Sequence, residues 1–136
     1  MGCRSLVWLS PLLLAGCSAS ANIDAAKAGV QQFHDLLNAG QLQAVYDQSD
    51  QVLKTAATPD RLIGILSAVH RKLGAAGQGT LENWNVNYTT SGQFVTLTYK
   101  TTFASGPGDE NFVYKIDGNV AKLAGYHINA DALILK

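Results

Sequence analysis

The spacing of the apolar residues changes once along this chain, at Gly77. Before this residue, apolar side chains recur every three or four positions, as on one face of an α-helix. After it, aromatic and aliphatic residues alternate with Asn, Thr and Lys, the pattern of strands that have one covered and one solvated face. Helices followed by an antiparallel meander predict an α+β domain, with N-terminal helices packed on one face of a curved, four-stranded antiparallel sheet.

The helical half of the chain carries start and stop signals. Apolar residues from 23 to 37 predict a first helix, with Asn22 as its N-cap. A second helical stretch covers 42–53, and its polar middle favours an interruption. Thr58, followed by a proline and an aspartate, begins a third helix that ends at Gly74. These signals predict short helices joined by tight connections.

The strand half is punctuated by turn residues. Asp117-Gly118 predicts a hairpin turn, and the broken alternation around Gly125 predicts a bulge in the last strand. On the apolar face of the alternating pattern, Trp84, Leu97 and Phe112 are expected to be buried beneath the helices.

Several short segments carry a family resemblance. They are Thr58-Pro59-Asp60, Asn83-Trp84-Asn85-Val86, the strand 95–99 and the closing segment 121–129. Together they resemble a group of small bacterial envelope proteins described as a domain of unknown function (DUF4019), near the NTF2-like and cystatin-like folds. The resemblance covers about 25–129 and implies a curved antiparallel sheet wrapped on helices. It assigns no functional residues, and analogy at the level of the fold is a weak guide to activity.

The first 16 residues have the features of a secretory signal. Arg4 supplies a positive charge, and a short apolar run from 6 to 14 follows it. The tetrad Leu14-Ala15-Gly16-Cys17 resembles the lipobox of bacterial lipoproteins. This resemblance implies cleavage before Cys17 and a diacylglycerol lipid on its thiol; an ordinary signal peptide with a chance cysteine is the alternative. The expected organisation is a signal peptide over 1–16, a lipidated tether over 17–22 and the DUF4019-like domain over 23–136.

The lipobox also implies where the protein works. A lipid-anchored protein of the bacterial cell envelope is expected, and Ser18 after Cys17 favours the outer membrane, facing the periplasm, in a Gram-negative host. The membrane is then one partner through the lipid, and an envelope protein is a possible second partner; the oligomeric state is left open. The formal net charge is zero, which argues against nucleic-acid binding. No cofactor is expected other than the covalent lipid on Cys17.

Two groups of side chains are candidates for a pocket or an interaction surface. Aromatic residues are expected to share the covered sheet face, where tyrosines would line an apolar pocket or simply fill the helix–sheet interface. On the opposite face, two lysines are expected to form one patch with Asn111 and Thr102. The candidate residues are Trp84, Tyr88, Tyr99, Tyr114 and Tyr126 for the first group, and Lys100 and Lys115 for the second.

The residues that could perform acid–base chemistry are few and scattered. His34 and His70 flank the apolar stripes of their helices and are expected to be solvated boundary residues, the alternative being that one of them is a general base or a ligand for a bound anion. No catalytic residue is assigned, and no cluster has the spacing of a metal site. The sequence therefore favours a non-enzymatic binding or accessory module of unknown ligand. One alternative is a small NTF2-like enzyme with a His or Asp general base in a tyrosine-lined pocket. Another is a structural partner in an envelope assembly that uses the Asn/Thr/Lys face of the sheet.

Overall fold

The computed structural model describes residues 18–135, so Cys17 and the predicted signal peptide lie outside the described residues. Within this range the helices precede the strands, apart from one short C-terminal helix. The elements are α1 (Ser18–Asn38), α2 (Leu42–Asp47), α3 (Gln51–Ala56), α4 (Pro59–Leu73), β1 (Ala76–Thr89), β2 (Gly92–Phe103), β3 (Gly106–Asp117), β4 (Val120–Asn129) and α5 (Asp131–Ile134).

The strands form one antiparallel sheet in the order β1-β2-β3-β4, each strand pairing with its neighbour in the chain. This arrangement confirms the predicted α+β fold. The inner face of the sheet carries Leu97 and Phe112, both fully buried, and these two residues are directly paired across β2 and β3. The outer face carries Thr98, Asn111 and His127 side by side, as the alternating pattern predicts.

The first helix lies along the inner face of the sheet. Ala26, Val30, Phe33 and Leu37 are buried at helical spacing, and they supply the apolar contacts that hold α1 on the strands. At its C-terminal end, the Asn38 side chain donates to the Ala76 carbonyl at 2.9 Å and accepts from the Ala76 amide at 2.8 Å. This pair of bonds fixes the end of α1 to the start of β1.

The start of α1 differs from the sequence prediction. The helix begins at Ser18, whereas the pattern predicts a cap at Asn22 and a tether before it. Ala19 and Ala21 are strong helix formers, and together with two serines they extend the helix toward its N-terminus. Within residues 18–135, no helix has the combination of length and apolar character that crossing a bilayer requires.

Capping residues mark the boundaries of α3 and α4. Asp50 interrupts the second helical stretch and accepts a hydrogen bond from the Val52 amide at 2.9 Å, which starts α3. Thr58 accepts from the Arg61 amide at 3.3 Å and caps α4. Gly74 ends α4 with a positive φ of 77°, a conformation that favours glycine. The predicted interruption of the second stretch and both predicted ends of α4 are confirmed.

Bulges change the alternation in both edge strands. In β4 the register shifts opposite Val113 and Tyr114, which confirms the irregularity predicted around Gly125. In β1 a second shift lies between Leu81 and Asn83. The inserted residue, Glu82, places Leu81 and Trp84 on the same face although they are three positions apart.

Gly29→Ala is expected to destabilise the domain by about 1–3 kcal/mol, because it overpacks the helix–sheet interface. A Cβ at this position of α1 would lie 2.7 Å from Cε1 and 2.9 Å from Cζ of the Tyr114 ring. That ring is buried and has little room to move. Urea denaturation followed by circular dichroism measures the loss.

Gly64→Ala is the matched control, because Gly64 is also inside a helix and a Cβ there meets no atom within 4 Å. It is expected to stabilise the domain by about 0.5–1 kcal/mol through the higher helix propensity of alanine. If both variants were stabilised, the close approach of α1 to Tyr114 would be wrong.

Candidate functional site

A glutamate lies in the apolar interface between α1 and the sheet. Glu110 is fully buried, and each of its carboxylate oxygens has a partner. Oε1 accepts from the His34 Nε2 at 2.7 Å and from the Thr101 hydroxyl at 2.6 Å. Oε2 accepts from the Tyr126 hydroxyl at 2.6 Å. We call these four residues the Glu110 cluster. Hydrogen bonds from three donors offset the cost of burying the carboxylate.

The four members of the Glu110 cluster come from four different elements. Glu110 is on β3, and its backbone partner on β2 is Tyr99, two positions before Thr101. Residues two apart on a strand share a face, so Thr101 also points inward. Tyr126 on β4 pairs with Phe112, which places its ring diagonally beside Glu110. The helix α1 then brings His34 down onto the carboxylate.

The surroundings of the Glu110 cluster keep the Tyr126 hydroxyl protonated. Burial raises the pKa of Tyr126 well above its usual value, and the nearby Glu110 charge and the hydrogen bond to Glu110 raise it further. Burial also raises the pKa of Tyr114, and Glu110 adds to this through its charge. Tyr126 is therefore a permanent donor to Glu110 at neutral pH.

An open cleft lies on the α1 side of the cluster. Its volume is about 380 Å³, and it is bounded by α1 and by the first half of β1. Polar side chains line much of it: Lys27, Gln31, His34, Gln78 and Tyr99. We call it the α1–β1 cleft.

His34 links the buried carboxylate to this cleft. Its side chain is 8% exposed, whereas that of Glu110 is not exposed at all. Because Nε2 is bonded to Glu110, Nδ1 is the ring nitrogen that remains for a molecule in the cleft. A carboxylate on one nitrogen fixes the orientation and tautomer of the ring. The arrangement can bind a polar ligand or exchange a proton with it.

The structure corrects the prediction for His34. The helical pattern predicts a solvated boundary residue, but His34 is buried and paired with Glu110. Glu110 receives no role from the sequence, because acidic residues are scattered along the chain. The signal that sequence reasoning missed is the position of Glu110 in β3, two residues before the buried Phe112. A carboxylate on the apolar register of a strand needs a buried partner.

Three of the five candidate aromatic residues lie in the helix–sheet interface, as predicted. Tyr99, Tyr114 and Tyr126 belong to the inner face of the sheet and pack in or against the core. Trp84 and Tyr88 do not: they are 55% and 67% exposed. They point to the same side of the sheet as the buried strand residues, but the helices leave this half of the edge strand uncovered. The prediction that Trp84 is buried is therefore wrong.

The aromatic interface is filled by its own rings. The centroid of Phe33 lies 5.1 Å from that of Phe112 and 4.7 Å from that of Tyr126. Beside these rings, a cavity of about 40 Å³ is lined by Tyr114 and by polar residues including Gln32 and Gln48. The buried Tyr114 hydroxyl has no hydrogen-bond partner among the described residues. The tyrosines thus pack the interface, and the α1–β1 cleft opens beside them.

The candidate lysines share the outer face but not one patch. Lys100 is paired with Asp109 near one end of β3, and Lys115 lies six positions further along that strand. At about 3.3 Å per residue this separation is roughly 20 Å, too far for the two side chains to act together. Between the two lysines, the Asn111 amide donates to the Thr98 hydroxyl at 3.1 Å. The expectation of a single lysine patch is wrong because the two lysines lie at opposite ends of the strand.

The second histidine lies at the end of α4, as its sequence position predicts. His70 is half-buried, and its buried Nδ1 has no partner among the described residues. In the described part of the chain, no group of three or more His, Cys, Asp or Glu side chains is arranged to hold a metal ion.

Comparison with known proteins adds no assignment to this geometry. No protein-family model matches the chain, and no curated protein is significantly similar to it.

Proposed function

We propose that this protein is a lipid-anchored protein of the bacterial cell envelope that acts as a non-enzymatic binding module, with its ligand in the α1–β1 cleft. The lipobox-like tetrad ending at Cys17 supports the anchor. The observation that supports the binding function is the position of His34 at the edge of a polar cleft, held there by a buried carboxylate. The resemblance to the DUF4019 group remains a prediction and adds no ligand.

The side chains around the cleft favour a small ligand with acceptor oxygens. Lys27 contributes an ammonium group, and the Gln78 amide contributes further N–H donors. The Gln31 amide already donates to Asp35 at 2.9 Å. A carboxylate or a comparable oxygen-rich group is the chemistry that these donors complement. The exposed cleft walls and the single cationic residue suit weak, reversible binding.

Titration with a panel of small carboxylic acids, followed by NMR chemical shifts, tests the binding site. The expected result is a set of shifts confined to the cleft, around His34 and Gln78. Lys27→Glu is expected to weaken binding several-fold, because it reverses the charge at the cleft wall.

Lys122→Glu is the matched control, since Lys122 is an exposed lysine on β4 outside the cleft. It should leave binding unchanged. Equal losses from the two lysine variants, or shifts scattered over the domain, would contradict the cleft as the site. Anchoring is tested separately: Cys17→Ser should move the protein from the membrane fraction to the soluble fraction, and its retention after a carbonate wash would rule out the lipid anchor.

One observation favours a second candidate function, an enzyme in which His34 is the general base. The 2.7 Å contact engages Nε2 with Glu110 and leaves Nδ1 as the other ring nitrogen, and a carboxylate-oriented histidine that lines a cleft can accept a proton. His34→Gln separates the two functions, because an amide can still donate to Glu110 but cannot act as a base. In a deletion strain, complementation by this variant supports the binding module; loss of complementation by a folded variant that still binds the small carboxylic acids supports the enzyme.

A further inference from the structure

Two large aromatic side chains are exposed on the edge strand β1. Trp84 and Tyr88 are 55% and 67% exposed, and between them Val86 is half-buried on the same face. We call these three residues the β1 aromatic patch. The Tyr88 hydroxyl accepts a hydrogen bond from Gln93 at 3.3 Å, so its ring is held on the strand. Exposed apolar side chains grouped on one face of an edge strand mark a candidate interaction surface.

The helix α1 runs beside β1 in the opposite direction. Asn38 is bonded to Ala76, and further along, Lys27 and Leu81 line the same cleft. Lys27 lies about 16 Å from Asn38 along the helix, at about 1.5 Å per residue. Leu81 lies about 13 Å from Ala76 along the sheet, because their partners on β2 are four positions apart at about 3.3 Å per residue. The two elements therefore advance by similar distances from the contact between Asn38 and Ala76.

The same spacing places the start of α1 level with the aromatic patch along the strand direction. Ser18 lies about 30 Å from Asn38 along the helix. Trp84 and Tyr88 lie about 20 Å and 33 Å from Ala76 along the sheet, because their partners on β2 are six and ten positions from the partner of Ala76. Ser18 is thus level with the stretch of β1 between the two aromatic residues. The helix starts directly after Cys17, so the lipid attachment point and the patch are at the same end of the domain.

We propose that Trp84 and Tyr88 dock the domain on the bilayer interface of the membrane that holds the lipid anchor. This inference rests on the lipidation of Cys17 in the proposed function. Because α1 is helical from Ser18 onward, the anchor holds the domain close to the membrane surface rather than on a flexible tether. Trp and Tyr rings combine an apolar body with one polar group, and they partition to the level of the lipid headgroups.

The charged residues at the end of the domain that carries the aromatic patch indicate which kind of lipid it contacts. Lys115 and Lys122 are paired near the turn between β3 and β4, and Asp117 follows on the same hairpin. Asp24 lies near the start of α1. Two cations and two anions cancel, so aromatic insertion rather than attraction to anionic lipid holds the surface. Docking is expected on zwitterionic phosphatidylcholine and is expected to be insensitive to salt.

Tryptophan fluorescence tests the docking directly. The chain has two tryptophans, and Trp8 is in the predicted signal peptide, so Trp84 is the single tryptophan of the processed protein. The full lipoprotein is reconstituted in phosphatidylcholine vesicles, with lipids brominated near the headgroup end of the acyl chain. The expected result is a blue-shifted emission, strong quenching by the brominated lipid and weak quenching by aqueous iodide.

The double variant Trp84→Phe, Asn85→Trp is the matched control, because neighbouring residues of a strand point to opposite faces. Its tryptophan should be quenched by iodide and not by the brominated lipid. If Trp84 is also quenched by iodide and not by the brominated lipid, the docking proposal is wrong. The lipid anchor on Cys17 is not affected by that result. If Trp84 is shielded from iodide but not quenched by brominated lipid, a second copy covers the patch and the proposal is overturned. Mass spectrometry of Cys17 decides the anchor separately; an unmodified thiol would overturn both proposals.

Discussion

Replacing Glu110 with alanine is expected to lower the free energy of unfolding by about 3–5 kcal/mol, the range observed when one partner of a buried pair is removed. The carboxylate is fully buried and receives hydrogen bonds from three side chains. Its loss leaves the His34 Nε2 and the hydroxyls of Thr101 and Tyr126 without their acceptor. An unpaired buried polar group carries its desolvation cost in full. Chemical denaturation followed by circular dichroism measures the change.

Two further variants test whether this loss of stability comes from the Glu110 cluster. Glu82→Ala removes an exposed carboxylate from β1, and it should change stability by no more than about 0.5 kcal/mol. Glu110→Gln keeps the size of the side chain and one acceptor oxygen, so its loss should be intermediate. Similar stabilities for Glu110→Ala and Glu82→Ala would mean that the buried cluster does not form in solution.

Alkaline pH is expected to unfold the domain through its buried tyrosines. The pKa of Tyr114 and that of Tyr126 are raised above the ordinary value of 10.0, first by burial and then by the charge of Glu110. Above pH 10 the unfolded chain loses these phenol protons while the folded protein retains them. The folded state then binds more protons, so the free energy of unfolding falls as the pH rises, by up to about 1.4 kcal/mol per pH unit for each group. Below pH 10 this contribution to stability is fully present.

Tyr114→Phe and Tyr88→Phe provide the comparison for the alkaline transition. Tyr114→Phe removes a buried hydroxyl that has no partner among the described residues, so it should reduce the alkaline slope without lowering stability at neutral pH. Tyr88 is exposed and its removal should leave the slope unchanged. Denaturation curves at successive pH values give the slopes. A common slope for the wild type and both variants would show that buried phenols do not control the transition.

Local sequence signals determined the secondary structure of this protein because their physics is local. Thr58 caps α4 through an amide three residues away, and Gly74 ends it with a φ that other residues disfavour. The change of period at Gly77 separates helices from strands, and Gly125 marks the β4 bulge. The alternation also assigned Tyr99 and Phe112 to the inner face of the sheet.

The site was decided by tertiary structure, because its members meet across long stretches of chain. His34 and Glu110 are 76 positions apart, and no spacing in the sequence relates the face of α1 to the register of β3. Trp84 follows the apolar alternation in β1, yet it is exposed. Alternation assigns a residue to one side of a sheet, but the placement of the helices determines which strands on that side are covered.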